Sequence, residues 1–377
     1  MTTGVVKYGS DLERRKWMRE GLIQSASTSF WSPMTGSTKD AIVYQSTNAN
    51  AGDGHTVVFD YSGNISGKAI KGKETAYGKG EEKRKFSDKL TVERYRLVVD
   101  NGDEFDGVNI GDINLTTHAD SRSKLGDLFT RFKDQSLFDA AQGSLGQAPS
   151  HVIDLGASFG YNDLFEIEKT LKTSTGFTTG GIRRPLDAYR TADGKPLWIF
   201  LVDSAMATLL KQDDKFQSIV SNADVRGNGN RLINGVIGKL GNLIIVEVSQ
   251  FFGETNGTTN NWGLDASNIE ISGMRQYDGA VPGSALWTGQ EGFDYASSEL
   301  HSRGLILGAG ALQLGFGKMP DYKFQKSVDF GITSESAVEF WMDAKKAVMT
   351  AENTDYTQAK VANLDYGVVA VDVKIGA

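Results

Sequence analysis

Two segments that alternate like paired strands bracket a charged, glycine-rich excursion, and this arrangement limits the fold more than any motif does. The first, HTVVFDYSGNISG, begins at His55; the second, KLTVERYRLVV, ends at Val99. Both carry the two-residue period of half-buried strands. Between them lies KAIKGKETAYGKGEEKRKF, which is too polar to bury a core of its own. From Lys68 to Arg96 there are ten basic residues and five acidic ones, a local balance of +5 in a chain whose net charge is −7. So long a polar excursion is either a mobile loop or a β-hairpin that becomes ordered against a neighbour. The plainer alternative is a solvated loop.

The rest of the composition agrees with a strand-and-loop protein. Glycine is abundant at 44 residues and proline scarce at 6, which favours tight turns and bulges over a helical bundle. With 377 residues the chain is long enough for about two to three domains and a core that needs no staples. Cysteine is absent, so disulfides, thiolate metal sites and a cysteine nucleophile are excluded. His55, His118, His151 and His301 lie far apart, none with a second histidine at zinc-ligand spacing. The start, MTTGVVKYGSDLERRKW, lacks a secretory core, and the apolar runs Leu197–Val202 and Leu243–Val246 are too short to cross a bilayer. A soluble protein made and used in a cytoplasm is expected. The acidic net charge argues against broad wrapping of nucleic acid, though not against enclosing it.

Along the chain, residues 1 to about 35 read as an arm. Its short helix, Asp11 to Ser25, offers only Trp17, Met18, Leu22 and Ile23, a stripe that docks on something else unless the terminus is simply frayed. Asp120 to Ala141 is expected to be a long amphipathic helix, with Leu125, Leu128, Phe129 and Phe132 on one face and Phe138 further along. Arg122, Lys124, Asp127, Arg131, Lys133 and Asp134 fall on the other face, and Asp120, Ser121 or Ser123 would cap the start. A second helix is expected from Asn162 to Lys172. The strand PLWIFLV then leads into DSAMATLLK, with Asp203 as N-cap. VIGKLGNLIIVEVS reads as a turn and a buried strand, ETNGTTNNWGLDASN as an exposed loop, and YGVVAVDVKI as a final strand. GLILGAGALQLGFG fits a strand or a buried helix equally. Strands and helices without a regular β-α repeat make the class α+β.

Chemistry leaves no comparable trace. The chain has no phosphate-binding loop, no His-Glu-x-x-His pair and no nucleophile elbow. Gly308-Ala-Gly310 follows an apolar run as a dinucleotide loop would, but Gln313 stands at the third glycine position. DNGDEFDG (100–107) has the composition of a calcium loop, yet aligning Gly107 as the turn glycine puts Gly102 where the first carboxylate belongs. It reads instead as a solvated turn.

What carries function is the order of the pieces. A Trp-containing N-terminal helix precedes the loop ETAYGKGEEKRKFSDKLTVERYR (74–96). After it come the long helix from Asp120, the junction LWIFLVDSAMATLL, LILGAGAL (305–312) and DYGVVAVDV (365–373). In this order the chain resembles the tailed-bacteriophage major capsid proteins of the Hong Kong 97-type fold, and within them the N-four-like branch. The resemblance implies an N-terminal arm (1–50) and an extended hairpin loop with adjoining strands (51–100). It further implies a peripheral domain with a spine helix (101–145), and a mainly axial domain (146–377) whose last strands return to the peripheral one.

The implied function is self-assembly into an icosahedral shell of hexamers and pentamers around double-stranded DNA, without catalysis, cofactor, metal or membrane. Scaffolding, portal and decoration proteins are the further partners it implies. Subunit contacts are expected from Lys71, Lys73, Lys79, Lys83, Arg84 and Lys85 on the loop, meeting acidic surface on a neighbour, and from Trp17 on the arm. The competing readings are a phage tail or receptor-binding protein, an encapsulin-like nanocompartment shell, and an enzyme with an unrecognised site.

Overall fold

The computed structural model describes residues 29–38, 40–47, 56–62, 69–80, 85–103, 113–142, 151–156, 158–173, 178–179, 182–183, 189–190, 196–202, 204–218, 236–248, 255–256, 259–260, 300–328, 333–349 and 364–376. Helices and sheets are interspersed, as the α+β reading expects. One sheet has five strands in the order Thr35–Gly36, Val43–Ser46, Leu312–Val328, Thr333–Lys346 and Glu93–Asp103. The long helix α1 (Ile113–Gln142) lies across it. Phe129 and Phe132 meet Phe340 at ring distances of 4.7 and 5.5 Å, and Phe132 meets Tyr95 at 5.1 Å.

The other large sheet has seven strands. Val236–Leu240, Leu243–Glu247, Pro196–Val202, Leu300–Leu307, Val368–Gly376 and Val152–Asp154 follow in order, and Tyr189–Arg190 pairs with Pro196–Val202. Because successive side chains of a strand point to opposite faces, this sheet serves two cores at once. Leu201, Val246, Leu305, Leu307, Val368 and Ala370 join the core under α1. Their immediate neighbours Phe200, Val202, Ile245, Ile306, Val369 and Val371 join a second core with helices α2 (Tyr161–Thr173) and α3 (Ser204–Gln212).

Several expectations change. Helix α1 begins at Ile113, so Asp120, Ser121 and Ser123 lie inside it rather than at its start. Arg122 and Asp134 are buried rather than on a solvated face: Arg122 lies over the Tyr322 ring, 6.0 Å from its centroid, and the chain at Ser29–Trp31 covers Asp134. The Asp134 carboxylate accepts hydrogen bonds from Ser29 Oγ (2.6 Å) and the Phe30 N–H (2.7 Å), and Trp31 Nε1 donates to the Asp134 carbonyl at 3.2 Å. Between strand and helix for 305–312, the structure chooses strand, turn and strand, with Gly310 in the left-handed region at φ 63°. DNGDEFDG is not all turn, since the edge strand runs to Asp103. The arm helix with Trp17 and the Asp203 cap lie outside the described residues.

Candidate subunit-contact surface

The excursion is a β-hairpin at its base. Thr56–Ser62 and Lys85–Thr91 pair antiparallel over their whole length, Thr56 opposite Thr91 and Ser62 opposite Lys85. Phe59, Leu90 and Val92 pack with Tyr44, Val57 and Trp341, which seats the stem on the five-stranded sheet. The buried carboxylate of Asp88 fastens it further, accepting from Lys345 Nζ at 2.6 Å and from the Val348 N–H at 3.0 Å. Charge-assisted bonds of this kind contribute about 1.5–3 kcal/mol each. The stem is therefore fixed to the body of the subunit.

Beyond the stem the chain changes character. Every residue from 69 to 80 is exposed. Gly72 and Gly78 turn it at φ 73° and 79°, values that L side chains rarely adopt. The Lys79 N–H donates to the Ala76 carbonyl at 3.2 Å, and Lys79 Nζ bridges to Glu74 at 3.0 Å. An exposed pair like that contributes only about 0–1 kcal/mol. Lys71 and Lys73 stand in solvent on the same loop, so the structure brings Lys71, Lys73 and Lys79 onto one projection. Lys85 opens the returning strand, while Lys83, Arg84 and Trp17 lie outside the described residues. Sequence reasoning passed over Tyr77, which is 95% exposed at this tip. The available signal was a lone large aromatic in a run of lysine, glutamate and glycine.

Charge is organised elsewhere too. Arg303 and Asp372 are directly opposed across two strands, both buried, with Nε–Oδ1 and Nη2–Oδ2 contacts of 2.7 Å each. Lys346 and Asp365 form a second buried pair at 3.0 Å. On the face of the five-stranded sheet turned away from α1, Glu339 is held by Lys323, by Arg94 at 3.0 Å and by Lys318 at 3.6 Å. The Lys323 hydrogen bond foremost pulls its carboxyl down to about 2, with Arg94 and Lys318 assisting against burial. Among the described residues no three metal-ligating side chains gather, and no helix is long and apolar enough to cross a membrane.

Comparison with known proteins identifies the architecture. A family model described as phage capsid protein matches residues 5–165 and 182–375. A search of curated proteins finds no match. Among solved structures, the head of Helicobacter pylori bacteriophage KHP40 is similar with a TM-score of 0.66 at 15% identity, over 93% of this chain and 92% of that one. The acidic stable capsid of Helicobacter pylori bacteriophage KHP30 matches with a TM-score of 0.65 at 15% identity, over 92% of each chain. The capsid of Ralstonia phage GP4 gives 0.62 at 15% identity, over 93% of this chain and 92% of that one. At such identity the likeness speaks to the fold, which is the Hong Kong 97-type fold that the order of sequence features resembles.

Proposed function

The chain belongs to the phage capsid protein family, and from that premise we propose how this major capsid protein builds its shell. As a structural protein of the virion it assembles with copies of itself into an icosahedral capsid. The observation that carries this is the family match along almost the whole chain; it favours neither the tail-protein nor the nanocompartment reading.

In our reading the exposed loop 69–80 is the arm by which one subunit holds the next. Its stem is anchored, every residue from 69 to 80 is exposed, and Lys71, Lys73 and Lys79 project together. Lys83, Arg84 and Lys85 extend the same contact, and Trp17 on the N-terminal arm makes a separate one. Since each exposed ion pair is weak, many must act together. The division into arm (1–50), hairpin loop (51–100), peripheral part (101–145) and mainly axial part (146–377) is retained as part of this proposal. So are hexamers and pentamers, an N-four-like affinity, enclosure of double-stranded DNA, assembly in the host cytoplasm, and help from scaffolding, portal and decoration proteins. The role is structural, with no catalytic step assigned.

The test is negative-stain electron microscopy and light scattering on the protein expressed alone, beside a variant lacking Lys71–Lys85. Closed shells or capsomer-sized rings are expected from the parent, and a folded, unassembled subunit from the deletion. Normal shells from the deletion would overturn the loop's role. A discrete trimer from the parent would move the reading to a tail or fibre protein.

A further inference from the structure

The loop 69–80 has no core, yet its tip has a defined local shape. The Lys79 N–H donates to the Ala76 carbonyl at 3.2 Å, closing a four-residue turn with Tyr77 and Gly78 in the middle. Gly78, the third residue of that turn, stands at φ 79°, the left-handed value a type II turn requires there. Lys79 Nζ reaches back to Glu74 at 3.0 Å, so a bridge spans the turn and narrows the conformations open to it.

The side chain this turn presents is Tyr77. It is 95% exposed, and among the described residues no hydrogen bond or ring contact holds it. A ring surrounded by water adds nothing to the subunit's own stability. The left-handed glycine and the bridge therefore shape a feature that the isolated chain does not use. Tyrosine suits contact with another molecule, since it offers a large rigid ring with a polar tip and loses only two rotatable angles on burial. Lysine loses far more freedom, and its exposed ion pairs return little.

We propose that Tyr77 anchors the loop's contact with a neighbouring copy of this chain. Its ring inserts into an apolar recess of that copy, and Lys71, Lys73 and Lys79 form the polar rim around it, the common anatomy of a protein interface. The inference rests on the loop's role proposed above and names the residue that carries it. The partner is a second copy because capsid proteins of this family assemble with copies of themselves. The stem, fastened through Asp88 and Leu90, ties the tip to the body of the subunit, so force on Tyr77 is borne by the folded chain. Burial of a ring is insensitive to ionic strength, whereas contacts of exposed lysines are screened by salt, and this separates anchor from rim.

The test uses the full-length protein, reading the concentration needed for assembly by light scattering and electron microscopy at about 0.05 M and about 0.5 M salt. Tyr77→Ala should raise it about tenfold or more at both salts, without shifting the melting temperature. Tyr77→Phe keeps the ring and should stay close to the parent. An alanine methyl at Gly78 meets nothing within 4 Å, so Gly78→Ala should weaken assembly by disfavouring the turn alone. Lys71→Ala with Lys73→Ala should lose assembly at low salt only. A photoreactive benzophenone amino acid in place of Tyr77 should give covalent dimers when assembled particles are irradiated. Normal assembly of Tyr77→Ala, beside a Lys71–Lys85 deletion that stays unassembled, would overturn the anchor and leave the loop's role standing. A Tyr77→Ala loss that vanishes at high salt, or irradiated particles yielding only monomer, would overturn it equally. Normal shells from the deletion and from Tyr77→Ala alike would remove the loop's role as well.

Discussion

Replacing Asp372 by Asn should be among the most damaging single-atom changes in this subunit. Asp372 and Arg303 are cross-strand partners with both contacts at 2.7 Å, and each is 2% exposed or less. Removing the carboxylate charge strands a guanidinium where water cannot reach it, and breaking such a buried pair costs about 3–5 kcal/mol. At about 1.4 kcal/mol per tenfold, that is about two to three and a half orders of magnitude in the folded-to-unfolded ratio. The Lys346–Asp365 pair lies close enough to feel the change. Burial chiefly holds the Lys346 ammonium below its usual range, and the charge of Arg303 pushes it the same way. Urea unfolding of the purified subunit, read by tryptophan fluorescence, measures the loss. The decisive arm is the double change Arg303→Met with Asp372→Leu, which exchanges the pair for packed hydrocarbon and should come within about 1 kcal/mol of the parent or exceed it. A single variant losing under about 1 kcal/mol, or a double variant losing the sum of two large penalties, would refute the account of this pair.

Three other sites give sharp expectations. Trp31→Ala should cost about 3–5 kcal/mol in the same unfolding assay, since Trp31 is fully buried 4.8 Å from the Phe138 ring; a loss below 1 kcal/mol would contradict its role as an anchor. Asp88→Asn should cost about 1.5–3 kcal/mol by weakening the Lys345 and Val348 contacts, and limited proteolysis should then cut near residues 85–91 faster than in the parent. Asp343 sits at about 6, raised above the ordinary carboxyl range first by burial and then by Glu93, against the Ala344 N–H bond and Lys345. A raised acid binds its proton more readily in the folded state, so its stabilising contribution is complete below about pH 4 and is lost as pH rises through 6. Asp343→Asn should therefore be more stable than the parent at pH 8 and indistinguishable from it near pH 4; parallel thermal-melting profiles across that range would refute the assignment.

Sequence periodicity located most of the architecture because the period is local. PLWIFLV, LIIVEV and VVAVDVKI announce strands whatever surrounds them, and the apolar stripe of α1 is visible from Leu125 to Phe138. The buried charges were not visible, for a reason that VVAVDVKI shows well. Val368, Ala370 and Asp372 share one face, and a charge at the end of an apolar series reads as the point where the strand leaves the core. Only Arg303, 69 residues earlier, reveals that the core continues. Asp134 misled in the same way: helix geometry gives it a solvated position until Ser29–Trp31 covers it. Of the contact surface, the loop lysines were evident from local charge, whereas the cations around Glu339 come from the two strands flanking its own and assemble only on folding.

The sheet that divides its side chains between two cores has a mechanical consequence. Neighbouring residues such as Leu305 and Ile306 are rooted in different cores, so neither core can be drawn away from the other without extracting alternate side chains from a common row of strands. Tension on one lobe passes through that row in shear, where the hydrogen bonds of each strand pair resist together rather than one after another. A container strained from within would accordingly yield first along the seams between subunits, with each subunit turning as a single piece.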